Sequence, residues 1–287
     1  MKPMKKTTAL LFALALSAPA LRAQEIRLPQ PSPAAKVGLA IGVTDVEIVY
    51  HRPGVKGREI WGGLVPLGEV WRLGANDATT ISFSTPVQVE GHDVPAGKYS
   101  LFAIPGKDKW TLVLNKKAEQ WGAYYYKQEE DLLRFDVKPQ TGPPTEKTEW
   151  MSFTITPASE TSATVEMSWE TLRVPFTVSA DVDRMVWSGL DTALAGKPNA
   201  EAYLTAVQYA LNKNARLDDA MAWTDKALAL EGTNFWAHEF KAKLLQKRGK
   251  VEEAVQHLDK AMELAKGKAP QGYIDGLAQL KKDWTKA

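Results

Sequence analysis

The sequence predicts a chain of two domains, an antiparallel β-sandwich followed by a small all-α domain of helical repeats. Its length of 287 residues exceeds one typical domain, and 44% apolar side chains supply enough surface for two cores. Apolar residues alternate at every second position before residue 179 and take helical spacing after it. A segment of the second part repeats 34 residues later, which indicates a repeated helical unit.

Residues 1–23 have the composition of a secretory signal peptide. Three lysines precede an apolar run at residues 7–18, and small residues follow it as far as Ala23. The run is about half of the roughly 20 residues that span a bilayer, and no later stretch is long and apolar enough, so we expect no transmembrane segment. We therefore expect a periplasmic or secreted protein, cleaved near Ala20 or Ala23.

The absence of cysteine and the balance of charge exclude several kinds of site and partner. Without cysteine the chain can form no disulfide, no thiol nucleophile and no thiolate metal site. Removal of residues 1–23 takes away four basic side chains and leaves 32 basic against 34 acidic ones, a net charge of −2. This near-balance argues against nucleic acid as a partner, because surfaces that bind nucleic acid are strongly basic.

Residues 34–178 are predicted to form the β-sandwich. Alternation places apolar side chains on one face of successive short strands. The residues that share a face are Val46, Ile48 and Tyr50; Met151, Phe153 and Ile155; and Ala163, Val165, Met167 and Trp169. Turn signals at residues 90–93, 95–97 and 105–108 separate strands without an intervening helix, which is typical of antiparallel hairpins. Six to nine such strands favour a sandwich over a barrel.

Residues 179–287 are predicted to form the helical domain. The stretch at residues 218–230 matches residues 252–264 at five positions, two of which are alanines. A 34-residue period with alanines seven residues apart resembles the tetratricopeptide repeat, in which small residues let paired helices approach closely. After a first helix that ends at Gly196, the expected helices span residues 200–212, 217–231, 234–248, 251–266 and 271–284.

The segment at residues 50–77 is the best candidate for a site. It holds six glycines, four arginine or lysine side chains and two tryptophans. Glycine allows backbone shapes closed to other residues, and arginine and tryptophan are the side chains most often found at contact sites. With two residues from further along the chain, the candidate ligand-binding residues are Arg52, Arg58, Trp71, Arg72, Asn76, Asn115 and Trp121.

Each of these side chains also has a structural interpretation. An arginine offers forked donors to a carboxylate or phosphate, but it can equally hold its own loop by bonding backbone carbonyls or nearby carboxylates. Trp61, Trp71 and Trp121 lie in irregular stretches, where a ring can stack on a ligand or plug the end of the sandwich. The three tyrosines at residues 124–126 are common in carbohydrate or peptide grooves.

We predict no catalytic residue, no metal site and no cofactor. The glycines match neither a dinucleotide fingerprint nor a phosphate-binding loop. A zinc-protease motif that begins at His238 lacks its second ligand, because position 242 is alanine. His51 is the one histidine in the candidate segment, and no obvious nucleophile adjoins it. His92, His238 and His257 are interpreted as structural.

Three stretches carry a resemblance to a known family. They are "RPGVKGREIWGGLVPLGEVWRLGANDATTISFS" at residues 52–84, "VPAGKYSLFAIPGKDKWTLVLNK" at residues 94–116, and "WGAYYY" with "DLLRFDV" at residues 121–137. Over about residues 34–178 the chain closely resembles exported bacterial proteins catalogued as a domain of unknown function, number twenty-nine eleven. The family's motif positions include all seven candidate residues. The resemblance implies export, this architecture and a tetratricopeptide-like tail, and it implies no reaction.

The predicted function is that of an exported binding or scaffold protein rather than an enzyme. Loops of the sandwich would bind an unknown small molecule, glycan or peptide, and the helical repeats would dock a protein partner. Two alternatives stay open. One is a hydrolase of cell-envelope polymers that uses His51 or a carboxylate of Glu59, Glu69 or Asp77. The other is a purely structural protein whose glycine-rich segment covers the end of the sandwich.

Overall fold

The computed structural model describes residues 28–143 and 146–286, and the predicted signal peptide at residues 1–23 lies outside them. Within the described residues, twelve strands precede six α-helices. The strands are β1 (Ala34–Ile41), β2 (Thr44–His51), β3 (Thr80–Phe83), β4 (Val87–Val89), β5 (His92–Val94), β6 (Gly97–Ile104), β7 (Trp110–Asn115), β8 (Asp131–Val137), β9 (Gln140–Thr141), β10 (Thr148–Ser159), β11 (Ser162–Glu170) and β12 (Leu172–Ser179).

The strands form two antiparallel sheets, which confirms the predicted sandwich. One sheet has the order β1-β2-β3-β6-β7-β8, and the other has the order β10-β11-β12-β4-β5, with the short β9 paired to β12. Tyr50 joins the two layers, because its hydroxyl accepts a hydrogen bond from the Phe153 backbone N–H at 3.1 Å and its ring meets the Phe153 ring edge-on at 4.9 Å. Side chains of both sheets fill one core.

Alternation predicted the inward faces correctly where strands are long. Val46, Ile48 and Tyr50 are buried along β2, and Val165, Met167 and Trp169 are buried along β11. The prediction of six to nine strands was too low. The structure has more strands because several are very short: β4, β5 and β9 have three residues or fewer, and the predicted turn at residues 90–93 falls at the β4–β5 hairpin. A strand that short cannot display a period of two.

The helices follow the predicted boundaries within about two residues. They are α1 (Val182–Leu194), α2 (Ala200–Lys213), α3 (Leu217–Leu230), α4 (Phe235–Lys247), α5 (Val251–Ala265) and α6 (Gln271–Lys286). Asp181, Asn199 and Asn234 cap α1, α2 and α4, each accepting a hydrogen bond from a backbone N–H of the first turn. None of the helices in the described part of the chain combines the length and apolar character needed to cross a bilayer.

Small residues hold the helices of each pair close together. The alanines that matched in the sequence, Ala220 and Ala227 on α3 and Ala254 and Ala261 on α5, are all fully buried. Helices α3 and α5 begin 34 residues apart, at Leu217 and Val251. Extensive contact within α2–α3 and within α4–α5 makes two helical hairpins, which α6 follows. The repeat seen in the sequence is therefore a repeat of helix pairs in space.

Helix α1 contacts both cores. Val182 and Met185 pack against the core of the sandwich, whereas Trp187 and Leu190 pack against the core of the helices. The approach is close, because a Cβ at Gly42 in the β1–β2 turn would lie 2.5 Å from a methyl carbon of Val182. Gly42 also has a φ of +60°, which favours glycine. The first helix thus links the sandwich directly to the helical unit.

Candidate functional site

The glycine-rich segment between β2 and β3 sends two tryptophans into the core. Trp61 and Trp71 meet Trp110 of β7 and Trp169 of β11, and we name these four rings the tryptophan cluster. Their centroids lie 5.1 to 6.2 Å apart, and the rings of Trp71 and Trp169 are nearly parallel. Trp71 is 8% exposed, and its backbone exchanges two hydrogen bonds with Ala103 of β6. Trp71 is therefore a core residue, in agreement with its structural interpretation.

Arg52 and Arg58 hold the segment in place. Arg52 Nε donates to the Met151 carbonyl at 2.8 Å, and its Nη2 donates to the Trp150 carbonyl at 3.4 Å, so the side chain ties the segment to β10. Arg58 donates from Nε and Nη2 to the carbonyls three and four residues earlier in its own loop, at 3.1 and 2.5 Å. In both cases backbone carbonyls take up two of the five N–H donors, so each side chain has a structural role.

Asn115 is fully buried at the end of β7 and is fully engaged. Its Nδ2 donates to the Lys127 carbonyl at 3.1 Å and to Asp131 Oδ1 at 2.9 Å, while its Oδ1 accepts from the Lys117 backbone N–H at 3.1 Å. These bonds fix both ends of the connection between β7 and β8. Asn115 thus shapes the loop that carries Trp121, and its amide faces the protein rather than solvent.

The remaining three candidates, Arg72, Asn76 and Trp121, lie together. The Asn76 carbonyl accepts from the Gly122 backbone N–H at 3.0 Å, and Asp77 forms an isolated antiparallel bridge with Trp121. A Cβ at Gly122 would lie 3.9 Å from Arg72 Cδ, so the two chain segments are in contact there. The two segments are more than forty residues apart in the sequence, and the fold brings them into contact.

Arg72 differs from the other two arginines in its surroundings. Its side chain is half-buried, and its Nε is buried with no hydrogen-bond partner among the described residues. Burial lowers the pKa of the Arg72 guanidinium, and the nearby Tyr124 acts in the opposite direction. Of the three arginines that the sequence left undecided, Arg72 is the one with a buried, unpaired donor.

Exposed aromatic rings lie on the loop that meets this arginine. Trp121 is 53% exposed, Tyr124 is 80% exposed and Tyr125 is 62% exposed, and we name these three residues the aromatic ridge. Tyr124 lies close to Arg72, because a Cβ at Gly122 would meet the Tyr124 ring at 2.9 Å and Arg72 Cδ at 3.9 Å. Lys117 Nζ lies over the Tyr125 ring, 5.5 Å from its centroid. Three large exposed rings on one short loop mark it as a candidate contact surface.

A cleft of about 420 Å³ lies beside the ridge, with Trp121 in its wall. His51 and Asp77 also line it, as do Lys98 and Glu119, whose charged atoms lie 3.8 Å apart. Of the residues named for a hydrolase, these two reach the cleft, whereas Glu59 and Glu69 do not line it. Within residues 28–143 and 146–286, no three His, Asp or Glu side chains are grouped to hold a metal ion.

A second, larger concavity of about 800 Å³ lies in the helical unit, between α1, α2 and α4. We name it the helical groove. Its apolar lining includes Val186, Leu190, Leu204, Trp236 and Phe240, and its polar lining includes Asn199, Glu201, Thr205, Gln208, Asn212 and Glu231. Both charged residues in its lining are glutamates. The groove therefore combines an apolar floor with hydrogen-bonding groups and negative charge.

A buried carboxylate supports the wall of the helical groove. Glu239 of α4 is buried, accepts from the Tyr273 hydroxyl of α6 at 2.6 Å, and receives Lys243 Nζ at 2.5 Å. Burial, followed by the bond to Glu239, raises the pKa of Tyr273. The Trp236 ring lies 4.9 Å from the Tyr273 ring, so this network also positions Trp236 at the groove.

Sequence reasoning did not identify the residues of the helical groove. The signal was present on α2, where Glu201, Thr205, Gln208 and Asn212 recur every three or four residues and so share a face. Gln208 Nε2 donates to Asn212 Oδ1 at 2.8 Å along that face. A polar stripe on a helix is ambiguous in sequence, because it equally describes a face that simply meets water.

The comparison with protein families agrees with the resemblance noted in the sequence. The model described as Protein of unknown function (DUF2911) matches residues 32–178, just over half of the chain. That range contains the tryptophan cluster, the aromatic ridge and all but the last residue of the sandwich. No curated protein matches the chain. The chain belongs to the DUF2911 family of proteins of unknown function.

Proposed function

We propose that the protein is an exported, non-catalytic scaffold whose helical unit binds a polypeptide segment of a partner protein. The helical groove is the observation that carries this proposal. Apolar, aromatic and hydrogen-bonding groups converge in it. The sandwich would then present the second binding surface, on the side of the aromatic ridge.

The likeness to tetratricopeptide repeats supports this division of roles. Matching segments at a 34-residue interval, buried alanines at matching positions, and two consecutive helical hairpins are the features that the likeness requires. Repeats of this kind stack into a curved array whose concave side usually serves as a docking surface. The helical groove is lined by α2 and α4, the first helices of the two hairpins.

The lining of the groove indicates the character of the segment it would accept. Glu201 and Glu231 favour a partner with lysine or arginine side chains, because no basic residue in the lining neutralises them. Trp236 and the apolar floor favour alternate large apolar side chains. Asn199 Oδ1 caps α2 and Gln208 Nε2 is bonded to Asn212 Oδ1, which leaves Gln208 Oε1 and Asn212 Nδ2 for a partner. These groups are suited to the main chain of an extended segment, whose N–H and C=O groups are free.

The test uses two fluorescently labelled peptides, one of alternating leucine and lysine and one of alternating leucine and glutamate. We expect the lysine peptide to bind and the glutamate peptide to bind at least about tenfold more weakly, as measured by anisotropy. Trp236→Ala should weaken binding of the lysine peptide about tenfold. Trp150→Ala, which removes an exposed tryptophan of the sandwich, should leave it unchanged. Equal binding of both peptides would refute the proposal.

Export is tested separately. The expectation rests on residues 1–23, whose composition matches a secretory signal. In a bacterial host we expect the full chain in the periplasmic fraction, shortened at its N-terminus, and a chain that begins at residue 24 in the cytoplasm. Intact-mass measurement of the periplasmic protein would separate cleavage after Ala20 from cleavage after Ala23. Retention of the full chain in the cytoplasm would contradict this part of the proposal.

A further inference from the structure

Arg72 combines a buried, unpaired donor with a guanidinium that is only half-buried. Removing an N–H from water without giving it a partner costs free energy, and folded proteins therefore pair nearly all such groups. Arg52 and Arg58 follow this rule through backbone carbonyls. Arg72 Nε breaks it, as do the indole nitrogens of Trp61 and Trp169, since each is buried and unpaired among the described residues. An indole has no other donor, whereas the half-buried guanidinium of Arg72 has further N–H groups that a ligand acceptor can reach.

The groups around Arg72 restrict what that ligand can be. Tyr124 of the aromatic ridge offers an exposed face close to it, and Trp121 offers another on the same loop; such faces stack on the CH surface of a sugar ring. Trp121 also lines the cleft together with Asp77 and Glu119, whose carboxylates accept hydrogen bonds from hydroxyl groups. Sugar rings and hydroxyls therefore suit this surface.

Charge distinguishes among anionic ligands. A guanidinium binds a carboxylate through two parallel N–H donors, and Arg72 is one such group. Two lysines of this surface are already engaged, Lys98 facing Glu119 and Lys117 lying over the Tyr125 ring. With Asp77 and Glu119 close by, a polyanion such as a nucleic acid would meet repulsion, whereas a ligand with one carboxylate per few rings would not.

We propose that Arg72 and the aromatic ridge form a binding site for a carboxylated saccharide. The carboxylate accepts from the Arg72 guanidinium, a neighbouring ring stacks on Trp121 or Tyr124, and hydroxyl groups reach the cleft. Gly122 is part of the site because a side chain there would collide with the Tyr124 ring at 2.9 Å. This site is separate from the helical groove and does not depend on the scaffold function.

The experiment is calorimetric titration of the purified protein with trigalacturonic acid and with its methyl ester. The ester keeps the rings and hydroxyls and removes the negative charge. We expect the acid to bind and the ester to bind at least about tenfold more weakly, because the charged hydrogen bond is lost. Arg72→Met, which keeps the apolar stem, should reduce affinity for the acid at least about tenfold, and Arg72→Lys should reduce it less.

Two further variants separate the site from a general effect. Trp121→Ala should weaken binding about tenfold by removing the stacking face, whereas Trp150→Ala on β10 should bind as the native protein does. The thermal midpoint of Arg72→Met without ligand should not fall, since the buried Nε makes no bond to lose. Absence of binding by the acid, equal binding of acid and ester, or a lowered midpoint for Arg72→Met would each overturn the proposal.

Discussion

The two ends of the glycine-rich segment use the same residue types in opposite ways. At its start, Arg52 and Arg58 donate hydrogen bonds to backbone carbonyls. Near its end, Arg72 has a buried donor without a partner among the described residues. Trp71 sits in the core and Trp121 stands in solvent. The comparison teaches that residue type alone does not mark a binding site. The partners of each donor and the exposure of each ring decide the matter.

The largest effect should come from the tryptophan cluster. Trp71→Ala removes a ring that contacts three other indoles and should lower the free energy of unfolding by ~3–5 kcal/mol. Trp121→Ala removes an exposed ring and should change it by less than ~0.5 kcal/mol. Urea unfolding of both variants gives the two values. Similar losses for the two would erase the distinction between core and ridge.

The two asparagines sharpen the comparison at a smaller scale. Asn115→Ala removes three hydrogen bonds of a fully buried amide, leaves their part-buried partners unpaired and should cost ~2–3 kcal/mol. Asn76 has a φ of +56°, which glycine adopts without strain. Asn76→Gly should therefore cost under ~1 kcal/mol. Thermal unfolding monitored by circular dichroism measures both. A larger loss at Asn76 than at Asn115 would contradict the structural role assigned to Asn115.

The arginines give the most direct contrast, with smaller magnitudes. Arg52→Met removes the bonds to β10 and should destabilise the protein by ~1–2 kcal/mol. Arg72→Met removes an unpaired buried donor and should be neutral or stabilising by up to ~1 kcal/mol. Both variants keep an apolar stem, so they control for each other in urea unfolding. Equal destabilisation would mean that Arg72 is as structural as Arg52.

The smallest expected effect concerns the helical unit, and it depends on pH. His238 Nδ1 and His257 Nδ1 lie 3.0 Å apart, and a proton on one nitrogen is shared with the other. Burial lowers the pKa of both imidazoles, and positive neighbours lower it further. Because the folded values lie below the unfolded value of about 6.5, this contribution is present above that pH and lost as the pH falls below it.

We therefore expect the thermal midpoint to fall as the pH is lowered from ~7 to ~5, and His257→Gln to show a smaller fall over the same interval. Differential scanning calorimetry at several pH values measures both curves. The sandwich histidines His51 and His92 serve as controls, since His92→Gln removes an exposed imidazole of β5. Identical curves for the native protein and His257→Gln would show that the pair has no part in acid sensitivity.

Much of the fold could be predicted because its signals are local. The period of two in β2 and β11 and the repeated alanines of α3 and α5 are visible within a dozen residues. Whether a loop side chain is buried or exposed is not determined by its neighbours in the sequence. Trp71 and Trp121 both lie within three residues of a glycine, yet the Trp71 backbone pairs with Ala103 in the core, whereas the Trp121 backbone pairs with Asp77 and leaves its ring exposed.

The helical groove shows the same limit. The lining side chains of α2 form a polar stripe that the sequence alone does not identify as a groove. The concavity forms because Trp236 of α4 and Leu190 of α1 pack beside that stripe. Arg72 is similar, because whether its Nε has a hydrogen-bond partner depends on residues that are distant in the sequence. Properties that depend on the sum of distant neighbours cannot be derived from a local pattern.

The tryptophan cluster also has an optical consequence. Indole rings 5.1 to 6.2 Å apart do not absorb independently, because their transition dipoles couple, and Trp71 and Trp169 are close to parallel at 17°. The native sandwich should carry a coupled band in its ultraviolet circular dichroism that vanishes when the layers separate. Excitation absorbed in the cluster passes among its members, whereas the exposed Trp121, Trp150 and Trp236 emit at longer wavelength. The protein thus contains its own spectroscopic reporters, the cluster for the core and the exposed rings for the surface.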